Sequence, residues 1–368
     1  MRRLIIALLL VAAVPARAST VELYTMGPGD DLFSAFGHAA ICVHDARSPE
    51  GRCYNYGTAD FRTPLPLTWN FIRGRALFWV SVIDLPRLLE FYQQEGRSVW
   101  RQTLTLPPVE SDALAVALEA STDERVKYYR YHHFDDNCTT RIRDLLDRAT
   151  GGKLRRDPVS RGRSFREWAR DGFAGSWPML VVTELLLGRS ADRVTDSWSA
   201  MFLPSEMRAE VAQRLGVQPV QVVRGRFGPP AGSPALGSIA LALIGALLAL
   251  SIVAGARLGR RSLTTALSIT GALLGLLALL LDLLALLSTF PELTRNESLL
   301  IFWPTDFALP FLSRDHLRPY TTLRLAAIAL IALAHLFALR QPLAPLFLAA
   351  LPLLAARLAN ARLAKGRS

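Results

Sequence analysis

The chain has 368 residues, a formal net charge of +11 and 51% hydrophobic residues, which excludes a disordered chain and leaves a folded protein with a basic surface. No nucleic-acid motif accompanies the charge, and the basic residues gather beside apolar segments, so anionic lipid headgroups are the expected partner and nucleic acid is not. With three cysteines, no CxxC or HxxxH spacing, no phosphate-binding glycine loop and no dinucleotide fingerprint, neither a metal nor a cofactor is expected.

In chain order, residues 1–18 read as a signal peptide: Arg2 and Arg3, an apolar run from Leu4 to Val14, and a small-residue cleavage site at Ala16-Arg17-Ala18. The run is shorter than the roughly 20 residues that span a bilayer. Residues 19–230 have the mixed composition of one globular domain with its own core. There, Gly37 to Val43 and Arg52 to Gly57 read as two strands of a hairpin. With Cys42 opposite Cys53 the two are placed to bridge, and side-chain alternation puts His38, Ala40 and Cys42 on one face with Cys53 and Asn55. Asn55 then lies diagonal to His38, within side-chain reach. The alternative is a pair of reduced core thiols; in both cases Cys138 is left over.

Leu77 to Ile83 and Val99 to Leu106 read as further strands, Asp84 caps a helix with Leu85, Leu88, Leu89 and Tyr92 on one face, and another helix follows Pro107-Pro108. The next helix opens at Cys138, with Asp136 or Asn137 as cap, an apolar stripe of Ile142, Leu145, Leu146 and Ala149, and Gly151-Gly152 as stop. A thiol in the first turn is stabilised as thiolate, and the unpaired N–H groups there suit an oxyanion. Position alone makes such a cysteine more often structural; an upstream strand histidine and an odd cysteine count favour a nucleophile. His132 and His133, just before the helix, rival His38 as base. Lys153, Arg155, Arg156, Arg161, Arg163, Arg166 and Arg170 form a basic run that rests on lipid or is simply a solvated face.

Residues 231–368 read as an all-α transmembrane domain with spans at about 235–256, 263–290 and 320–339, and a short proline-broken segment at 342–356, interfacial or re-entrant. Arg257, Arg260 and Arg261 make the first inter-span loop cytoplasmic, which puts the globular domain in the periplasm of a bacterial inner membrane. Residues 291–319 are then expected to face the periplasm, where Asn296 and Trp303 are weak candidates for holding lipid or lipoprotein, an ordinary loop being the alternative. Asp282, inside a span, is expected to pair with Arg324 or to be protonated.

Phe36-Gly37-His38-Ala39-Ala40-Ile41, Tyr54-Asn55-Tyr56-Gly57-Thr58-Ala59-Asp60-Phe61 and Asp136-Asn137-Cys138-Thr139-Thr140-Arg141 closely resemble the periplasmic domain of the Lnb-type lipoprotein N-acyltransferases. Gly188-Arg189-Ser190-Ala191-Asp192 and Met201-Phe202-Leu203-Pro204 resemble that family's end-of-domain signature. More distantly, a strand histidine before a helix-start Asn-Cys is similar to the permuted NlpC-type papain fold, which includes lecithin:retinol acyltransferase-like enzymes. The resemblance implies an α+β papain-like domain in which Cys138 attacks a phospholipid ester, His38 moves the proton and a diacylglyceryl lipoprotein amine accepts the acyl chain. Asn55 is the expected orienting residue for His38, with Tyr56 and Asp60 as rivals, while Asn137 and Asp136 support the oxyanion site. Two other readings stay open: a papain-like peptidase or amidase acting on cell-wall peptides, and a non-catalytic membrane assembly factor. The oligomeric state is not legible.

Overall fold

A computed structural model of the chain describes residues 19–31 and 34–365, so the signal-peptide segment lies outside the described residues. The globular part is α+β. Its strands are β1 (Thr20–Met26), β2 (His38–His44), β3 (Arg52–Thr58), β4 (Leu77–Asp84), β5 (Val99–Leu104), β6 (Tyr128–Arg130), β7 (Ser160–Ser164), β8 (Val194–Asp196) and β9 (Val220–Val223). Seven of them form one antiparallel sheet in the order β6-β4-β3-β2-β1-β5-β9, while β7 and β8 pair separately.

The helices of this part are α1 (Pro64–Ile72), α2 (Leu85–Gln94), α3 (Pro108–Ala120), α4 (Cys138–Ala149), α5 (Phe165–Gly172), α6 (Trp177–Leu186), α7 (Ser197–Ala200) and α8 (Pro204–Leu215). Strands β1 and β2 are buried on both faces, as their near-continuous apolar sequences require. Leu23, Ala39, Ile41 and Val43 point to a core shared with Ile142 and Leu146 of α4, Leu118 of α3 and Val211 of α8. Tyr24, Met26, Ala40 and Cys42 point the other way, onto Leu88 and Tyr92 of α2. Cys42 lies opposite Cys53 and the two form a disulfide closing a sequence separation of 11 residues. The double variant Cys42→Ala/Cys53→Ala is expected to lose about 2–3 kcal/mol of stability, read as a lower urea midpoint of the domain's unfolding. An unchanged midpoint would mean that the bridge adds nothing.

The second half contains α9 (Leu236–Leu258), α10 (Arg260–Leu287), α11 (Pro291–Thr294), α12 (Ser298–Ile301), α13 (Arg314–Ala334) and α14 (Ala344–Lys365). Among the described residues, α9, α10 and α13 are long and apolar enough to cross a membrane. Helix α13 starts six residues before the expected 320 and ends at Ala334, because hydropathy does not register a first turn made of Arg314, Asp315 and His316. The expected short segment 342–356 is instead one helix of 22 residues with Pro352 inside it. Its side chains Leu346, Leu348, Ala349, Leu353 and Ala356 are buried, and its backbone at Phe347 and Leu348 meets α9 at Gly245. That burial offsets the hydrogen bond lost at the proline.

Residues 291–319 do not stay at one end of the bundle, as their composition suggested. Pro304 to Phe311 form a 3-10 stretch along α10. Gly271 and Gly275 leave the space that the Asp306 carbonyl and the Phe307 ring occupy; a Cβ there would meet them at 2.7 and 2.4 Å. These glycines lie 16 and 12 residues from Leu287, or about 24 and 18 Å down the helix. Helix α13 then returns, since Gln341 beyond its end donates to Asn296 Oδ1 and to the Leu187 carbonyl. Beside the 3-10 stretch Arg324 donates to both Asp306 oxygens at 2.9 and 2.8 Å, and both side chains are 0% exposed. Asp282, by contrast, is exposed on α10. The expected Asp282–Arg324 pair is therefore replaced by Asp306–Arg324, because the 3-10 stretch brings its own acid to the arginine.

Candidate active site

Helix α4 starts where it does because Asn137 caps it: its Oδ1 accepts the N–H groups of Thr139 and Thr140, and Thr140 Oγ1 accepts the Asn137 N–H. The same amide's Nδ2 donates to the carbonyls of His133 and Phe202 at 2.9 and 3.0 Å. Asn137 is thus wholly occupied in holding the helix start, and its side chain has no donor left for an oxyanion, contrary to expectation. The Cys138 N–H has no acceptor among the described residues and remains as the donor. Asp136 supports from further out, clamping Arg141 through Nε at 2.5 Å and Nη2 at 2.7 Å.

Strand β2 supplies the other half. The β2–β3 ladder runs only from Val43↔Arg52 to Ile41↔Tyr54, and β3 then shifts register between Asn55 and Thr58. Cys138 approaches the β2 start that this divergence uncovers. Burial pushes its thiol up, but the His38 charge, hydrogen bonds to His38 and Thr139 and the backbone amide of Ala39 outweigh that and bring it down to about 7. Thr139 Oγ1 lies 3.6 Å from the sulfur. Cys138 is 8% exposed and His38 is half-buried, so the imidazole is the more open side of the pair. Tyr92 of α2 lies against the His38 ring, centroids 6.2 Å apart.

Gly57 makes the approach of Cys138 to the sheet feasible. Its φ of +86° suits glycine, and a Cβ there would sit 3.2 Å from the Cys138 Cβ. A glycine inside a strand pattern is a readable sign of close backbone approach, which the sequence reading passed over. Gly57→Ala is expected to cost about 1–2 kcal/mol from the left-handed backbone alone and to slow Cys138 alkylation at pH 7 by pushing the sulfur from His38. Wild-type stability together with a wild-type alkylation rate would contradict this.

The other expected residues fall elsewhere. Among the described residues no hydrogen bond joins Asn55 to His38; Asn55 pairs through the ladder with Ser81 at the register shift. Tyr56 donates to Ser121 Oγ, and half-buried Asp60 holds Arg62. Neither rival reaches the imidazole, because the bulge after Tyr54 turns this stretch away from β2. Asn296 is buried and spent on the carbonyls of Leu185 and Leu186, the Ser298 N–H and Gln341. Trp303 donates to the Leu300 carbonyl and its ring lies 4.3 Å from the Arg324 guanidinium. Both are structural joints here. The basic run is largely paired: Arg161 with Glu206 and Glu210, Arg163 with Asp171, Arg166 with Asp192 and Arg170 with Glu184. Its charge is spent inside the domain more than offered to a surface.

The rival histidines are held by the membrane half. Phe290, just past α10, packs against His132, His133 and Phe71 at centroid distances of 4.9, 5.3 and 5.7 Å. Burial, with the neighbouring His132, drives His133 down to about 4, too weak a base for a thiol. His132 Nε2 lies 3.5 Å from Glu292, and with Asp135 the donor atoms fall within 4.8 Å of one another. The N–H groups of Phe134 and Asp135 donate to His132 Nδ1, and Nε2 faces Glu292.

The late motifs have physical reasons too. The Gly188 and Arg189 N–H groups donate to the carbonyls of Glu292 and Arg295, and a Cβ on Gly188 would meet the Arg295 oxygen at 2.4 Å. Asp192 holds Arg166, and Phe202 supplies the carbonyl that fixes Asn137.

Residues 11–169 match the family described as the Lnb N-terminal periplasmic domain; the Gly188 and Phe202 motifs lie beyond the match. No curated protein and no solved structure matches the chain. The matched domain, followed by helices able to cross a membrane, describes a membrane protein with a periplasmic domain. Residues 11–169, the part that carries Cys138 and His38, are thus similar to the Lnb N-terminal periplasmic domain that the motifs resemble.

Proposed function

We propose that this chain is a thiol acyltransferase of the bacterial inner membrane that modifies lipoproteins. The observation that carries the reading is the buried Cys138 thiol at a capped helix start against the sheet at Gly57, where the His38 charge lowers it. The order of the pair, strand histidine then helix-start cysteine, supports a papain-like assignment. In the first half-reaction the Cys138 thiolate forms a C–S bond with the ester carbonyl of a phospholipid. The Cys138 N–H stabilises the oxyanion, the C–O bond breaks, and protonated His38 gives its proton to the departing lysophospholipid oxygen. In the second, the N-terminal amine of a diacylglyceryl lipoprotein forms a C–N bond, His38 takes the amine proton and the thiolate leaves. Water in place of the amine would make the same centre a hydrolase.

The membrane half suits a lipid donor, and its path gives a consistent topology. With the globular domain in the periplasm, α9 descends, α10 ascends, residues 291–313 descend as a broken segment, α13 ascends and α14 descends. Arg257, Arg260, Arg261, Arg314 and Arg318 then share the cytoplasmic side with Arg357. Intact-mass analysis of the full chain incubated with phosphatidylglycerol vesicles is expected to show an acyl adduct on wild type that hydroxylamine removes, and none on Cys138→Ala. An adduct surviving in Cys138→Ala, or absent from both, would defeat the reading.

A further inference from the structure

Beside the catalytic pair, on the α8 side of the sheet, a groove of about 390 Å³ is walled by Met26, Phe36, Trp100, Trp168, Leu203 and Phe227. Its walls are chain neighbours of the site: Met26 pairs with His38, Phe36 is two residues before His38, and Leu203 follows the residue whose carbonyl holds Asn137. Its lower rim includes Gly232 and Pro234, immediately before α9 begins at Leu236. The groove therefore runs from the start of the first membrane helix to the neighbours of His38.

Among its described lining residues Arg208 is the one cation, while the Asp171 carboxylate that also lines it is held by Arg163. Arg208 stacks on Trp100 at 3.9 Å and donates to Thr25 Oγ1 at 3.3 Å. Among the described residues no carboxylate lies within 4.0 Å of it, whereas Arg161, Arg163, Arg166 and Arg170 all have one. A part-buried guanidinium without an anion is costly, and its fork matches a phosphate. We propose that the groove is the donor subsite, binding a membrane glycerophospholipid with its phosphate on Arg208 and an acyl chain against Trp100 and Phe36.

The spacing suits that pose. Thr25 pairs with Ala39 across one strand spacing, about 5 Å, and the Ala39 amide faces the Cys138 sulfur. The residues that Arg208 and Cys138 touch, Thr25 and Ala39, thus lie on adjacent strands, as the glycerol backbone between a phosphate and an ester carbonyl requires. Burial alone lowers the Arg208 guanidinium, with no carboxylate acting on it. The apolar walls and the α9 junction favour a bilayer lipid over a free phosphate. A diacylglyceryl peptide, lacking the phosphate, has no use for Arg208.

This assignment rests on the acyl-transfer reading for its role, so its test separates the two. The full chain carrying Cys138→Ala is placed in vesicles containing phosphatidylglycerol with a diazirine on one acyl chain, irradiated and mapped by mass spectrometry. Crosslinks are expected on groove residues such as Trp100 and Phe227, falling roughly tenfold with Arg208→Gln and partly restored by Arg208→Lys. Unchanged Cys138 alkylation in Arg208→Gln shows that the fold survives the change. Crosslinks confined to α9–α14, or equal groove labelling by a phosphate-free diacylglycerol probe, would overturn the subsite. A thioester on the native-cysteine chain without groove crosslinks on Cys138→Ala defeats the subsite alone; groove crosslinks without any thioester on the native-cysteine chain keep a lipid site and defeat its role as donor.

Discussion

In a His38→Gln variant, alkylation of Cys138 by iodoacetamide at pH 7 is expected to slow roughly tenfold or more, with the midpoint of its pH profile moving from near 7 to above about 8.5. The sign follows from the balance at the sulfur. Burial favours the neutral thiol, and the His38 charge and hydrogen bonds to His38, Thr139 and the Ala39 amide favour the thiolate strongly enough to bring it to about 7. Removing His38 takes away the largest of the opposing contributions and leaves burial to raise the thiol. Below pH 7 the wild-type sulfur is mostly thiol and slow; above it, mostly thiolate and fast. Acyl transfer should fall more than alkylation, by about 10²–10⁴, since in the proposed reaction His38 also carries the proton to the leaving group. Because Cys42 and Cys53 are bonded to each other, the alkylation signal belongs to Cys138. An unmoved midpoint in His38→Gln would dissolve the catalytic pair.

Arg324→Met is expected to be among the most damaging substitutions in the membrane half, costing about 3–5 kcal/mol. It leaves Asp306, 0% exposed, as an uncompensated acid between α10 and α13, with the Tyr320 hydroxyl, at 2.6 Å, as its remaining side-chain donor among the described residues. Asp306→Leu should be comparably harmful, stranding an arginine that otherwise donates to Asp306 and to the Ile301 carbonyl. The double variant Arg324→Met/Asp306→Leu should be much milder than the sum, because no buried charge remains. The measurement is a double-mutant cycle on thermal unfolding in detergent micelles. Additive losses would show that the two side chains do not stabilise each other.

Much of the site was readable in the chain, and the reason differs by residue. The helix at Cys138 is local: an Asn cap, a stripe at helical spacing and two stop glycines decide it within a dozen residues. The hairpin that opposes Cys42 and Cys53 is nearly as local. The role expected of Asn55 rested on extending that regular pairing past Tyr54, where a register shift intervenes. Bulges change facing by one residue and leave little trace in composition. In the membrane half, hydropathy located the apolar helices but missed the descent of 291–313, since a broken segment satisfies its backbone by packing into glycine notches on α10.

By itself, the order of residues determined what is short-range: which segments are apolar enough to leave water, which cysteine is left over, and where the reactive helix begins. Periodicity and capping act over one or two turns, so sequence suffices for them. Only the tertiary structure decided which groups meet. It brought the Ala39 amide to the Cys138 sulfur, gave Asp306 instead of Asp282 to Arg324, and enclosed His133 beneath Phe290. Those outcomes depend on closing long loops against competing partners of the same charge or size, and relative burial in the finished core selects among them.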